Sequence, residues 1–184
     1  MHLRPSLLGR IGQIARDKRG VSAVEFALVA PLMVGLYLGC AEISSGVGAD
    51  RKVSLTTAAV ANLAAQVSSI SSSDMTNILN ASTSIIYPYS PSNLKITVSC
   101  INIDANKNAT VKWSSTLNGT ALSGSVSVPS ALLVASTQLI YSQVSYAYKP
   151  TIGYTITGTL NLSDQMYMMP RITAPSYNGT SCSS

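Results

Sequence analysis

Hydrophobic positions fall along this chain in three regimes. From Val21 to Ala41 apolar residues occupy every face, and Glu25 is the single charge. As a helix this stretch would span about 31 Å, close to the roughly 30 Å hydrocarbon thickness of a bilayer. It therefore predicts a membrane-inserted helix, with a buried helix of a soluble protein as the alternative. From Glu42 onward the polarity rises, while Val47, Leu55, Ala58, Ala59, Leu63, Val67 and Ile70 keep returning to one face. One long helix from about Val21 to Ser69 is predicted, half in lipid and half outside it. Gly46 and Gly48 are points where it would bend. The alternative is an anchor, a flexible Ser/Gly link at 44–48 and a separate second helix.

Beyond Ser71 the period changes. Ser71-Ser72-Ser73-Asp74 breaks the helix, and Asp74 or Ser73 is placed to cap a short helix from Met75 to about Ser82. Pro88 and Pro91 then impose an extended loop. Leu94, Ile96, Val98 and Cys100 alternate as in a strand, and Ile101 and Ile103 switch phase, which predicts a bulge. Ala109, Val111 and Trp113 alternate after the turn-forming run Asp104–Asn108, giving a β-hairpin. Residues 116–127 read as a Gly/Ser/Thr-rich loop, and Pro129 as the start of a helical turn through Val134. Gln138–Tyr148 and Ile152–Leu162 are the strongest strand signals, joined by a turn at Lys149-Pro150-Thr151, and the tail Tyr167–Ser184 is irregular. The predicted class is α+β: a long N-terminal transmembrane helix followed by an exported antiparallel sheet of about four strands with short helices beside it.

Charge adds an orientation. The chain of 184 residues carries a net charge of +5 and only 10% charged residues. Arg4, Arg10, Arg16, Lys18 and Arg19 stand against Asp17 alone within 1–20, so nearly all the net charge lies ahead of the apolar stretch. That is a topology signal: residues 1–20 are expected in the cytoplasm and residues 44–184 across the membrane. In a Gram-negative cell this means the inner membrane and the periplasm. Nothing beyond the apolar stretch interleaves basic and aromatic residues densely enough for a nucleic-acid surface. Cys40 lies in the apolar stretch, while Cys100 and Cys182 fall on the exported, oxidising side and make one possible pair. Two reduced, buried thiols are the alternative.

Glu25 is the costly residue, because a charge in such a helix disfavours insertion by about 2.5–3.5 kcal/mol toward the bilayer centre, and less near an interface. It lies five residues past Gly20, which ends the basic run Arg16, Lys18, Arg19. This arrangement resembles the processing site of type IV prepilins, in which a basic leader ends in Gly and a Glu follows at the fifth mature position. The wider stretch RGVSAVEFALVAPLMVGLYLGCAEI is similar to the TadE family, minor pseudopilins of tight-adherence (Flp) pilus systems. The family motif usually has Tyr after the Glu, where this chain has Phe26. The resemblance implies cleavage between Gly20 and Val21, with Glu25 and Phe26 serving processing and assembly. It also implies a prepilin peptidase, an inner-membrane assembly platform, other pilins or pseudopilins and membrane lipid as partners. The expected organisation is a cytoplasmic leader (1–20), a transmembrane helix (21–43), its exported continuation (44–70) and an exported α+β domain (71–184). An uncleaved, anchored accessory protein of the same apparatus is the rival reading.

Other chemistry is thin. The only histidine is His2, so the exported part has no His-based triad or His zinc site. Asp50, Asp74, Asp104 and Asp164 are scattered. Ser92-Asn93-Leu94-Lys95 has the spacing of a penicillin-interacting serine motif, yet it opens a strand and no K-T-G follows. Asp104–Asn108 imitates the first half of a calcium loop, but Ala109 replaces the required Gly. Gly39-Cys40-Ala41 and Leu38-Gly39-Cys40 are rival processing signals, set against an apolar stretch interrupted by Glu25 and Pro31. Neither a cofactor nor an enzymatic activity is expected, and an unrelated exported enzyme or binding module on an anchor is the remaining alternative.

Overall fold

The structure is a computed structural model and describes residues 19–150, 153 and 158–183. Its spine is helix α1, Arg19–Ala65, which continues unbroken through Pro31, Gly46 and Gly48. Forty-seven residues make a rod of about 70 Å at 1.5 Å per residue. The anchor-link-helix alternative is thereby set aside. The helix ends at Ala65 rather than near Ser69, and the Arg171 N–H donates to the Ala65 carbonyl at 2.9 Å, satisfying one of the acceptors a helix end leaves open.

After α1 come strand β1 (Ser69–Ile70) and helix α2 (Ser72–Thr83). The cap of α2 is Ser71, upstream of the predicted Ser73 or Asp74. Its hydroxyl accepts from the Asp74 N–H at 3.2 Å, and the Asp74 carboxylate accepts from the Ser71 N–H at 3.2 Å. This reciprocal pairing satisfies two open donors and so lengthens the helix by a turn. Short 3₁₀ turns follow at Ser84–Ile86 and at Pro91–Asn93, the second within the loop expected to be extended.

Strands β2 (Leu94–Ile103), β3 (Ala109–Leu117), β4 (Thr137–Tyr148) and β5 (Leu160–Met168) form one antiparallel sheet in the order β3-β2-β4-β5. The α+β class is borne out. The short parallel pair of β1 with β6 (Ser176–Tyr177) lies apart from this sheet.

Helix α1 covers one face of the sheet. Leu94, Ile96, Val98 and Cys100 of β2 and Ile140, Val144, Tyr146 and Tyr148 of β4 are buried in the same cluster as Ala49, Val53, Val60 and Ala64 of the helix. The other face carries a second core of Ile101, Ile103, Leu139 and Tyr141, closed by Val128 on the strand 3-to-4 connection. This explains the phase switch at Ile101. Strand β2 pairs with β4 in continuous register from Leu94 to Ile103, so β2 itself is regular and its two faces are both buried. The irregularity sits in β3: Cys100 pairs with Trp113 and Ile101 with Val111, leaving Lys112 as the extra residue.

Two expectations are corrected. The face of α1 that meets the sheet is built from Ala49, Val53, Thr56, Thr57, Val60, Ala61 and Ala64, all fully buried. The predicted stripe is largely outside: Val47, Leu55, Leu63 and Val67 are 37–57% exposed. Small side chains let the helix lie close on the sheet, and the Thr56 and Thr57 hydroxyls are satisfied by the carbonyls of Lys52 (2.8 Å) and Val53 (2.9 Å). Where the predicted strand Ile152–Leu162 is described, the strand begins only at Leu160 and runs on to Met168, with Tyr148 opposite Leu160 and Ile140 opposite Met168. It is an edge strand rich in polar residues (Asn161, Ser163, Asp164, Gln165), so it lacks the apolar alternation of a half-buried strand. Tyr167 and Met168 therefore belong to the sheet, not to an irregular tail. Ile152, Tyr154 and Ile156, on which the earlier boundary rested, lie outside the described residues, as do residues 1–18 of the leader.

Candidate processing and anchoring segment

Gly20, Val21, Glu25 and Phe26 all lie in the first turns of α1. Glu25 follows Val21 by four residues and so shares its face. Gly20 has nothing within 4 Å of the position a Cβ would take, and Val21 and Phe26 are 52% and 74% exposed. The segment is an uncovered rod: from Gly20 to Ala41 not one residue is buried. Val24, Leu28, Leu32, Leu36 and Tyr37 all stand more than half exposed. The helix is long and apolar enough to cross a membrane by length and composition. Pro31, Gly35 and Gly39 line a shallow groove along it, consistent with the small-residue spacing of Gly35 and Gly39.

The surroundings of α1 change abruptly at Glu42, its first buried residue, 3% exposed. The Glu42 carboxylate accepts from the Gly153 N–H at 2.9 Å. Three residues later the Tyr89 hydroxyl donates to the Ser45 carbonyl at 2.7 Å. Tyr89 meets Tyr148 edge-on with ring centroids 5.8 Å apart, and the Tyr148 ring lies 3.8 Å from where a Cβ on Gly46 would stand. Burial, with Tyr89 and the Glu42 charge beside it, pushes the Tyr148 phenol above its ordinary value. Glu42 and this tyrosine collar were not read from the sequence as a unit. The available signal was a carboxylate immediately after an apolar stretch and glycines at helical spacing beyond it.

At the far end of the domain Cys100 and Cys182 are joined in a disulfide, with Cα atoms 5.9 Å apart and a sequence separation of 82. The tail is held there by further bonds. The Trp113 indole N–H donates to the Pro175 carbonyl at 2.9 Å, the Tyr177 ring lies 5.5 Å from Trp113, and the Asn178 N–H reaches the Ile70 carbonyl at 3.1 Å. Cys40 is a free, exposed thiol on the apolar rod. The structure does not bring the disulfide near Gly20 and Glu25, which occupy the opposite end of the spine.

The remaining candidates resolve into ordinary structure. Asp104 accepts from the Asn108 backbone at 2.8 Å and from its side-chain amide at 3.0 Å, which closes the β2–β3 turn. No group of three or more His, Cys, Asp or Glu side chains is placed to hold a metal among the described residues. Ser92 and Asn93 form part of a 3₁₀ turn and Lys95 lies in a strand, so the serine-enzyme spacing has no helix start to act from.

The fold and this segment together define an α+β protein whose long N-terminal helix begins as an uncovered apolar rod and ends as the core of a sheet domain. Comparison with protein families narrows the class: the model for TadE, the TadE-like protein family, matches residues 20–62. The resemblance seen in RGVSAVEFALVAPLMVGLYLGCAEI is borne out over that segment. The match covers the apolar rod and most of the part of α1 that packs on the sheet, and stops before β1. No curated protein and no solved structure matches the chain.

Proposed function

We propose that this protein is a non-enzymatic minor pseudopilin of a tight-adherence pilus, made with residues 1–20 as a cytoplasmic leader and cleaved by a prepilin peptidase between Gly20 and Val21. Residues 21–43 lie in the inner membrane, residues 44–65 continue the spine outside it, and the domain to residue 184 is periplasmic. The observation that carries this reading is the division of α1 at Glu42. Below it a helix long enough to span the bilayer offers only uncovered, largely apolar surface. Above it the same helix is the core of a folded domain. A rod of that design is suited to moving between lipid and an apolar assembly of like helices, and its partners would be other pilus components.

Glycine at the end of the leader lets the chain lie extended and close in a protease groove, where a Cβ would interfere. Cleavage would leave Val21 with a free amine, largely protonated with a pKa of roughly 8 in water. Glu25, one turn along on the same face, can neutralise the amine of its own chain or of a neighbour. In low dielectric an unpaired charge of either sign is costly, so the pairing would favour one register between helices.

The test is the mass and N-terminal sequence of the protein recovered from cells with an active prepilin peptidase. A Val21 start is expected. An intact Met1 would overturn maturation and leave the uncleaved, anchored accessory protein as the function.

A further inference from the structure

We infer that the sheet face turned away from α1 carries a binding cleft for a short oligosaccharide bearing one carboxylate. The inference rests on the fold of the sheet domain alone, and on neither leader cleavage nor membrane insertion.

Strand alternation makes the floor of the cleft. Lys95 and Thr97 of β2 stand opposite Ser145 and Gln143 of β4, on the same face as Ile101 and Tyr141. The connection that follows β3 crosses this face and makes the wall. It is pinned to the sheet at three successive points. The Asn118 side-chain amide donates to the Leu94 carbonyl at 3.2 Å, with Asn118 itself in the left-handed region at φ 55°. Gly119 lies so close that a Cβ there would stand 2.6 Å from the Thr116 hydroxyl oxygen. The Leu122 N–H donates to the Ser114 hydroxyl at 3.0 Å. Between wall and floor lie two cavities of about 290 and 200 Å³. The first is bounded by Lys95, Gln143, Ser145 and the 118–120 segment, the second by Leu122, Tyr141, Gln165 and Tyr167. Gln143 of the first pairs directly with Gln165 of the second across β4 and β5, so the two are successive parts of one trough. From Ser145 to Tyr141 it runs about 14 Å at 3.4 Å per residue.

The groups presented there are not used by the fold. The side-chain ends of Lys95, Thr120, Gln143 and Ser145 have no hydrogen-bond or ion-pair partner among the described residues. An ammonium, two hydroxyls and an amide thus converge on the first cavity. Lys95 is the single charged side chain lining either cavity. The carboxylate of the adjoining strand, Asp164, stands opposite Val144, on the face that α1 covers. Such a set suits a ligand with one negative charge among many hydroxyls. The second cavity supplies ring surface. Tyr141 and Tyr167 have centroids 4.9 Å apart, and the Tyr141 hydroxyl donates to the Gln165 side-chain oxygen at 3.1 Å. A tyrosine offers an apolar face with a wet edge, which matches the C–H face and hydroxyl rim of a sugar ring. A peptide fits less well. Strands β2 and β4 are interior, with their N–H and C=O groups engaged by sheet neighbours, so an extended chain laid on this floor finds no backbone ladder to join.

The experiment uses the full chain in micelles of a detergent without a sugar headgroup, and titration calorimetry as the readout. The disaccharide N-acetylglucosaminyl-N-acetylmuramic acid has one carboxylate, and N,N′-diacetylchitobiose has the same rings without it. The tripeptide Gly-Gly-Phe is the third probe. The acidic disaccharide is expected to bind about tenfold more tightly than the neutral one, the usual worth of one charge-assisted hydrogen bond. Lys95→Gln should remove that advantage, while Lys107→Gln, in the β2–β3 turn, should leave it intact. Gln143→Ala should weaken both disaccharides alike. Neither Lys95 nor Gln143 has a side-chain partner in the protein, so an unchanged unfolding midpoint is expected for both variants. Absence of binding by both disaccharides overturns the inference. So does an advantage that survives Lys95→Gln, or a tripeptide that binds more tightly than the acidic disaccharide.

Discussion

The hydroxyl of Tyr89 donates to the main-chain carbonyl of Ser45 at 2.7 Å, fastening the loop after α2 to the spine where the folded domain begins. Two glycines of α1 lie under this contact and respond to it differently. A Cβ on Gly48 would stand 2.9 Å from the Tyr89 hydroxyl oxygen, whereas a Cβ on Gly46 would meet nothing closer than the Tyr148 ring at 3.8 Å.

Gly46→Ala is therefore expected to stabilise the protein by about 0.5–1 kcal/mol, the usual gain from replacing a helix-interior glycine at a site with room. Gly48→Ala must displace the Tyr89 hydroxyl and offsets that gain by about 1 kcal/mol for the weakened hydrogen bond. Denaturant unfolding in detergent should rank Gly46→Ala above wild type and above Gly48→Ala. In a Tyr89→Phe background the penalty specific to Gly48→Ala should vanish.

The disulfide closes a long loop. With a sequence separation of 82 between Cys100 and Cys182, chain entropy alone predicts a contribution of about 4 kcal/mol, an upper estimate because the unfolded chain keeps some structure. Cys182→Ser should lower the unfolding midpoint, and adding reductant to the wild type should reproduce the shift. Two thiols reactive toward a membrane-impermeant reagent in the absence of reductant would speak against the bridge in cells.

The acid limb of stability should report two carboxylates. Asp74 is held below its ordinary 3.8 by hydrogen bonds from the Ser71 side chain and backbone. Asp104 is likewise lowered from 3.8, by the backbone and then the side chain of Asn108. A lowered pKa means that the unfolded chain binds the proton more readily. The stabilisation is then complete above about pH 4 and is lost as pH falls through the lower folded values. Asp74→Asn with Asp104→Asn should flatten the pH dependence below about 4 while leaving its shape near pH 7 unchanged. Ser71→Ala removes the acceptor for the Asp74 N–H and should cost about 1 kcal/mol at neutral pH.

Substitutions at the start of α1 separate processing from assembly. Gly20→Leu should leave the full-length mass in the membrane fraction, because the added side chain blocks the extended chain from the protease. Glu25→Ala should insert at least as well as wild type, since it removes a charge whose burial toward the bilayer centre costs about 2.5–3.5 kcal/mol. It should then fail to co-purify with other pilus components. Recovery of Glu25→Ala in normal amounts with those components would remove Glu25 from the proposed role.

How much of this was legible in the residues depends on how local the determining forces are. The apolar run from Val21 to Ala41 was read correctly as a helix because nothing but length and uniform hydropathy is needed to specify it. The Gly20–Glu25 spacing singled out the TadE-like segment without any tertiary information. The hairpin of β2 and β3 was equally plain, since its turn chemistry sits in Asp104–Asn108. The capping box of α2 was missed by two or three positions because Ser71, Ser73 and Asp74 are all competent caps, and only the bonds actually made choose among them.

Tertiary structure decided the rest. Hydrophobicity pointed the Val47–Leu55–Leu63 stripe of α1 at the sheet, yet the sheet took the Ala49–Val53–Thr57–Val60–Ala64 side. Close packing rewards side chains short enough for helix and sheet to approach, and a threonine whose hydroxyl bonds its own helix is as acceptable there as a valine. The bulge at Lys112, the polar edge strand β5 and the collar of Tyr89, Tyr148 and Glu42 have the same origin. Each depends on which distant strand or loop arrives opposite, and hydropathy along one segment contains no term for its partner.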